Sequence, residues 1–249
     1  MNRREKTALS YWFPQIEAAG IPVPRTKILH MPKAAQQSIW HAFDGKDDPD
    51  SNDAMKVFIG HVAEAAVEFG YPAFLRTDHT SGKHEWDRCC FLKSRDDIAQ
   101  HLFNLAEYSE IVDLMGLPWD AWVVREFLPT KPLGRCPRYG NMPICREFRF
   151  FVDDGHVRCW HPYWPEFSLE QGGAIFENAD YDALSLVDVD EECGLIALAE
   201  KAGRAVGGAW SIDILYTKRG WYVTDMAEAA NSWHEWPDCP NTFKKRKAA

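Results

Sequence analysis

Apolar residues recur along the chain at two spacings, every third or fourth position in some stretches and every second in others, and the breaks between these patterns delimit the elements. Leu9 to Ala19 has helical spacing and is closed by Gly20, after which Lys27 to His30 is a short strand. Acidic Asp44 to Asp53 reads as a surface loop. His61 to Phe69 is helical in composition and stops at Gly70-Tyr71-Pro72, and Ala73 to Arg76 is again extended. Ser94 is placed to cap a helix over Arg95 to Glu107, with Asp96 and Asp97 in its first turn and Ile98, Leu102 and Leu105 on one apolar face. A strand at Trp122 to Leu128 leads into Pro129 to Arg146, a basic loop with four prolines, two glycines, four cationic side chains and no acid. Phe148 to Val152 and His156 to His161 form a hairpin around Asp153-Asp154-Gly155. Irregular Tyr163 to Asp190 precedes a helix from Glu191 to Val206 and two strands, Trp210 to Tyr216 and Trp221 to Met226. The pattern predicts a mixed α and β chain without internal repeats.

At 249 residues, with 46% hydrophobic, 13% aromatic and 26% charged positions, the chain can bury a sizeable core. No apolar run approaches the roughly 18 to 20 residues that span a bilayer, and the charged N-terminus is not followed by the apolar segment of a signal peptide, so the expected location is the cytoplasm. Seven cysteines without C-x-x-C spacing read as thiols. A net charge of −9 argues against duplex nucleic acid, and the basic Lys244 to Lys247 cluster reads as a solvated tail.

Several charged residues stand where the pattern calls for burial. Asp213 lies within the apolar strand Trp210 to Leu215, and Asp225 repeats this on the paired strand. A carboxylate buried without a partner costs several kcal/mol, so each is either salt-bridged to an arginine or ligating a cation, and two acids on adjacent strands suit Mg²⁺. Arg76 opens the polar loop Arg76 to His84, where Ser81, Gly82 and Lys83 suit a phosphate; Ser-Gly-Lys alone is only a fragment of a P-loop. Strand alternation places Glu147 and Arg149 on one face and Phe148, Phe150 and Val152 on the other, leaving Arg149 to meet a phosphate or anionic substrate, or to pair with Glu147. His156 falls on the opposite face from Cys159 and His161, which argues against zinc.

In their order these segments resemble the ATP-grasp superfamily, in particular the branch of the cell-division-cycle-123 proteins and small ATP-grasp proteins of phages and bacteria. Phe74 to Lys83 with the helix after Ser94 is similar to the family's first phosphate-binding unit, and Val123 to Leu128 to its hinge strand. Arg146 to Val152 resembles its Glu-Phe-Arg strand, and Ser211-Ile212-Asp213 with Val223-Thr224-Asp225 its paired metal strands. The likeness spans roughly residues 70 to 235. It implies an α+β fold in which two mixed or antiparallel sheets with helices clasp a nucleotide, beyond a small N-terminal α/β segment. The implied organisation is residues 1–70, a first ATP-grasp subdomain at 71–128 and a second at 129–249.

The resemblance also implies ATP and Mg²⁺ as cofactors. Arg76, Ser81, Lys83, Glu147 and Arg149 fall to the nucleotide, with Val124, Glu126, Phe127 and Leu128 at the adenine, and Lys83 and Arg149 are the catalytic cations. Asp213 and Asp225 fall to the metal. Many ATP-grasp enzymes carry an asparagine two residues after the last metal acid; here that position is Ala227, and Glu228 or Asn231 is left to supply the oxygen. The implied activity joins a carboxylate to an amine through an acyl phosphate, on unidentified substrates that could include a peptide or protein. The competing implication is a nucleotide-dependent assembly factor acting on a protein partner.

Overall fold

The computed structural model describes residues 6–112, 116–177 and 181–234; the basic C-terminal cluster lies outside them. The chain divides into two compact units, one of Arg25–Phe127 with Tyr139–Met142, the other of Met1–Pro24, Leu128–Arg138 and Pro143–Ala249. Helices and antiparallel sheets build both, and no helix among the described residues is long and apolar enough to cross a membrane.

The first unit is a four-stranded antiparallel sheet of β1 (Thr26–His30), β2 (Ala73–Thr77), β3 (Phe91–Leu92) and β4 (Ala121–Glu126), in the order β1-β4-β2-β3. Leu75, Trp122 and Val124 from the sheet meet Phe58, Val62, Ile98, Leu102 and Leu105 from the helices in one apolar core. The capping box predicted around Ser94 forms: its hydroxyl accepts from Asp96 N at 3.2 Å while Asp97 accepts from Ser94 N at 2.8 Å. A short 3₁₀ turn, Arg95–Asp97, then leads into helix Ile98–Ile111.

Two departures from the pattern have local causes. The acidic stretch expected to be a loop is instead helical from Pro49 onward, one helix running Pro49–Phe69. Pro49 at its first position and Asp50 in its first turn are start signals, and Ser51, Phe58, Val62, Ala65 and Ala66 supply a buried stripe that the surrounding acids obscure. Helix Lys33–Phe43 went unpredicted because it buries only Ala35 and Ile39.

In the second unit, β5 (Gly134–Cys136), β6 (Met142–Ile144) and β9 (Ile175–Phe176) form a small sheet in the order β6-β5-β9. The basic stretch is therefore not a structureless loop: Gly134 pairs with Phe176 and Arg135 with Ile175, while Lys131, Arg135 and Arg138 remain exposed. The main sheet joins β7 (Glu147–Asp153), β8 (His156–Pro162), β10 (Ala209–Thr217) and β11 (Gly220–Glu228) in the order β11-β10-β7-β8, antiparallel throughout. The hairpin turn between β7 and β8 uses positive φ at Asp154 (47°) and Gly155 (77°), as a two-residue turn matching the strand twist requires.

Helix Val189–Val206 covers the apolar face of that sheet, burying Leu195, Ala199, Ala202 and Gly203. Its approach is close enough that a Cβ on Gly203 would stand 2.4 Å from Val152 Cγ1. Trp160 Nε1 donates to Glu192 Oε1 on the same helix at 3.0 Å. Helix Leu9–Ala18 packs in turn against Val189–Val206 and β11. With its apolar side covered, the sheet's other face is left to the polar residues of the same strands. Among the described cysteines, Cys89, Cys90, Cys136, Cys145, Cys159 and Cys193 are all thiols, and burial pushes Cys89 and Cys145 up to about 12.

Candidate nucleotide and metal site

The polar face of the main sheet carries one continuous row. In register, Asp225 on β11 stands opposite Asp213 on β10, Asp213 opposite Arg149 on β7, and Arg149 opposite His161 on β8. Strand alternation puts all four on the side away from Phe148, Phe150 and Ile212. Arg149 and Asp213 form a two-point ion pair, Nε donating to Oδ1 at 2.7 Å and Nη2 to Oδ2 at 2.9 Å. Both side chains are sequestered, at 17% and 4% exposure. Burial opposes the Arg149 charge, but the Asp213 carboxylate outweighs it, and the guanidinium holds its proton above its ordinary value. Tyr163 lies under Arg149, its ring centroid 5.0 Å from Cζ.

Glu147 shares this face, nine-tenths buried, and Thr224 Oγ1 sits 3.2 Å from Glu147 Oε1 and 3.3 Å from the Asp213 carbonyl. A bulge between Asp213 and Ile214 lets Thr224 reach across to both. Asp225 accepts from the Met226 amide at 3.1 Å. Glu228, by contrast, pairs in register with Trp210, a step out of alternation from Asp225 and Ala227, and Asn231 Nδ2 donates to it at 2.8 Å. The fold thus brings Asp213 and Asp225 together and leaves Glu228 apart from them. Among the described residues no group of three or more His, Cys, Asp or Glu is gathered tightly enough to hold a metal. Two carboxylates remain, a donor set that matches the usual protein share of a Mg²⁺ shell, where water and phosphate supply the rest.

The short segment after β11 lies over the same face. Ser232 Oγ meets Ser211 Oγ at 2.5 Å, the Trp233 carbonyl accepts from Arg149 Nη1 at 3.5 Å, and His234 Nε2 lies 2.9 Å from Cys159 Sγ. Trp233 packs edge-on against His161, centroids 5.3 Å apart. Burial depresses His161 to about 4, so at neutral pH it is an uncharged neighbour of Arg149, its Nδ1 2.7 Å from the Pro162 carbonyl.

The first unit holds the other predicted residues. Arg76, buried near the end of β2, donates through Nε to the Thr77 carbonyl at 3.0 Å. A tight turn follows, closed by Thr77 N to the Thr80 carbonyl at 2.9 Å, and presents Ser81, Gly82 and Lys83. Gly82 has φ 57°, and a Cβ there would meet Leu105 Cδ2 at 3.0 Å and Cys89 Cβ at 3.1 Å. Its missing side chain is accounted for by packing, whatever approaches its backbone. Tyr139 stacks on His84 at 4.6 Å, and Asn141 Nδ2 donates to Asp87 Oδ2 at 3.2 Å, so residues 139–142 are docked on the segment following this turn.

Val124 lies inside β4 with Lys27 on one side and Leu75 on the other, so its backbone is committed to the sheet. The Glu126 carboxylate accepts from Arg25 N at 3.0 Å and Arg25 Nε at 3.3 Å. Any backbone contact with adenine therefore falls to the strand's exit, at Phe127 and Leu128, rather than to Val124. Phe127 packs on Phe91 at 5.0 Å and Trp86 at 6.2 Å. Sequence reasoning passed over Arg25, Tyr163, Thr224 and Trp233; the alternation that grouped His161 with Cys159 extends to Arg149 only once the register is known.

A family model of the ATP-grasp domain, the third family of its clade, matches residues 61–235. The chain belongs to this family. Solved ATP-grasp structures share its fold. Cdc123 of Schizosaccharomyces pombe, truncated at its C-terminus, is 14% identical with a TM-score of 0.57, the match covering 98% of this chain and 94% of that one. A RimK domain ATP-grasp protein of Sphaerobacter thermophilus is 15% identical with a TM-score of 0.50, over 90% of this chain and 60% of that one. The N5-carboxyaminoimidazole synthase of Aspergillus clavatus, solved with ADP and 5-aminoimidazole ribonucleotide, is 13% identical with a TM-score of 0.50, over 90% and 45%. The chain thus spans less than two thirds of the latter two proteins. No curated protein matches the sequence.

Proposed function

We propose that this ATP-grasp chain binds ATP with Mg²⁺ and transfers its terminal phosphoryl group to a carboxylate, giving an acyl phosphate that an amine then displaces. The observation that carries the reading is the row Asp225, Asp213, Arg149 on one sheet face, where two acids and a buried guanidinium stand ready for a cation and an anion. Arg149 and Lys83 offset the charge of the phosphoryl group, with Arg76, Ser81 and Glu147 ordering the nucleotide and the β4 exit meeting adenine. Asp213 and Asp225 hold the Mg²⁺, and Glu228 is set aside because of its register with Trp210. When bound, Mg²⁺ supplies neutralisation of phosphate oxygens. The chain's own work is positioning and charge balance, so no side-chain nucleophile is needed.

A second reading, a nucleotide-dependent assembly factor, is favoured by size: the chain covers 94% of the Cdc123 structure but 60% and 45% of the other two. Incubation with Mg²⁺, ATP and pools of amino acids and peptides separates the two. ADP release that depends on an added carboxylate and amine supports the ligase. Saturable ATP binding without turnover under any pool supports the assembly factor, and absence of ATP binding by calorimetry at millimolar Mg-ATP refutes both.

A further inference from the structure

The functional reading gives Asp213 to a cation and Arg149 to a phosphate, yet the structure shows the two bound to each other. The Nε and Nη2 edge of Arg149, the fork that best matches a phosphate, is occupied by both oxygens of Asp213. Its remaining nitrogen, Nη1, points to the Trp233 carbonyl, and its face rests on Tyr163. An arginine held in this way cannot offer its two-point edge to a nucleotide without leaving Asp213. Leaving would strand a carboxylate that is 4% exposed, with a second acid, Asp225, directly across the strand pair. That state is costly unless another cation takes over the carboxylate. Conversely, a divalent cation approaching Asp213 meets the positive charge of Arg149 and is disfavoured while the guanidinium stays.

Resting on the ATP and Mg²⁺ reading, we propose that Arg149 is the resident counter-cation of Asp213, that a divalent cation displaces it, and that the displaced guanidinium then engages the nucleotide phosphates. Cation and nucleotide loading are thereby coupled through one side-chain exchange. Linkage makes the coupling reciprocal: what removes the guanidinium tightens the metal, and what removes the carboxylate's charge frees the guanidinium for phosphate. The neighbouring His161 is neutral and does not substitute for either charge.

The test uses the full chain and two ligands separately. Mn²⁺ binding to nucleotide-free protein, read by electron paramagnetic resonance of the free ion, should tighten about tenfold in Arg149→Gln, within the usual range of such couplings. Arg149→Lys, which keeps a charge but gives up the two-point fork, should tighten it by less, and it carries the test if the glutamine variant does not fold. ATP binding in EDTA, read by calorimetry, should be tighter in Asp213→Asn than in the wild type. Mn²⁺ affinity that is unchanged or weaker in both Arg149 variants overturns the exchange and makes the pair a fixed structural bridge. Failure of every variant and of the wild type to bind ATP, with or without metal, would instead sink the nucleotide reading, while the Mn²⁺ comparison still decides whether Arg149 competes for Asp213.

Discussion

Arg149 and Asp213 face each other across β7 and β10 and share two hydrogen bonds, of 2.7 and 2.9 Å, in a nearly closed environment. Removing one partner leaves the other charge buried, which costs about 3–5 kcal/mol. Asp213→Ala should therefore lower the melting temperature of the metal-free protein by roughly 6 to 20 °C. The double variant Arg149→Met with Asp213→Leu should recover most of that loss. Thermal melts of the three proteins check both points; a single variant that melts with the wild type would show that water reaches the pair.

His161 gives stability a pH dependence of definite sign. Burial lowers its folded value to about 4 from the ordinary 6.5, so between these values the unfolded chain binds the extra proton. The contribution is complete above about pH 6.5 and is lost as pH falls toward 4, amounting to at most about 3 kcal/mol. His161→Gln should flatten the difference in urea midpoint between pH 7 and pH 4.5. Some slope should survive, because burial also lowers His84, His101 and His234.

The contact of helix Val189–Val206 with β7 depends on Gly203 lacking a side chain. A Cβ at 2.4 Å from Val152 Cγ1 forces helix and sheet apart, so Gly203→Ala should cost about 1–3 kcal/mol. Adding Val152→Ala should restore part of this, a coupling that a chemical-denaturation cycle over the four proteins would measure. Strictly additive losses would place the strain elsewhere.

Gly140 is constrained twice, by φ 63° and by a Cβ position 2.7 Å from the Trp86 amide nitrogen. Gly140→Ala should loosen residues 139–142 from the Trp86 and Asp87 backbone at a cost on the order of 1–3 kcal/mol. The expected readout is faster tryptic cleavage after the exposed Arg138, with the overall melt shifted much less.

The sequence by itself determined the elements whose signals are local. The alternation of Glu147 to Val152, the Asp154-Gly155 turn and the Ser94 capping box depend on residues a few positions apart, and each formed where expected. It also singled out Asp213, Asp225 and Arg149, because a charge inside an apolar strand stands out without any knowledge of its partner. It missed helix Lys33–Phe43 and shortened Pro49–Phe69, where few buried positions are diluted among polar ones, and it took residues 129–146 for a loop, although Gly134 and Arg135 find strand partners some forty residues away. Only the tertiary structure decided which charge meets which. Asp213 and Arg149 are 64 positions apart, and their pairing is set by the register of β10 on β7. The same registers withdrew Glu228 from the acids and the Val124 backbone from adenine, because a strand's hydrogen bonds and pleat are properties of its neighbours as much as of its own residues.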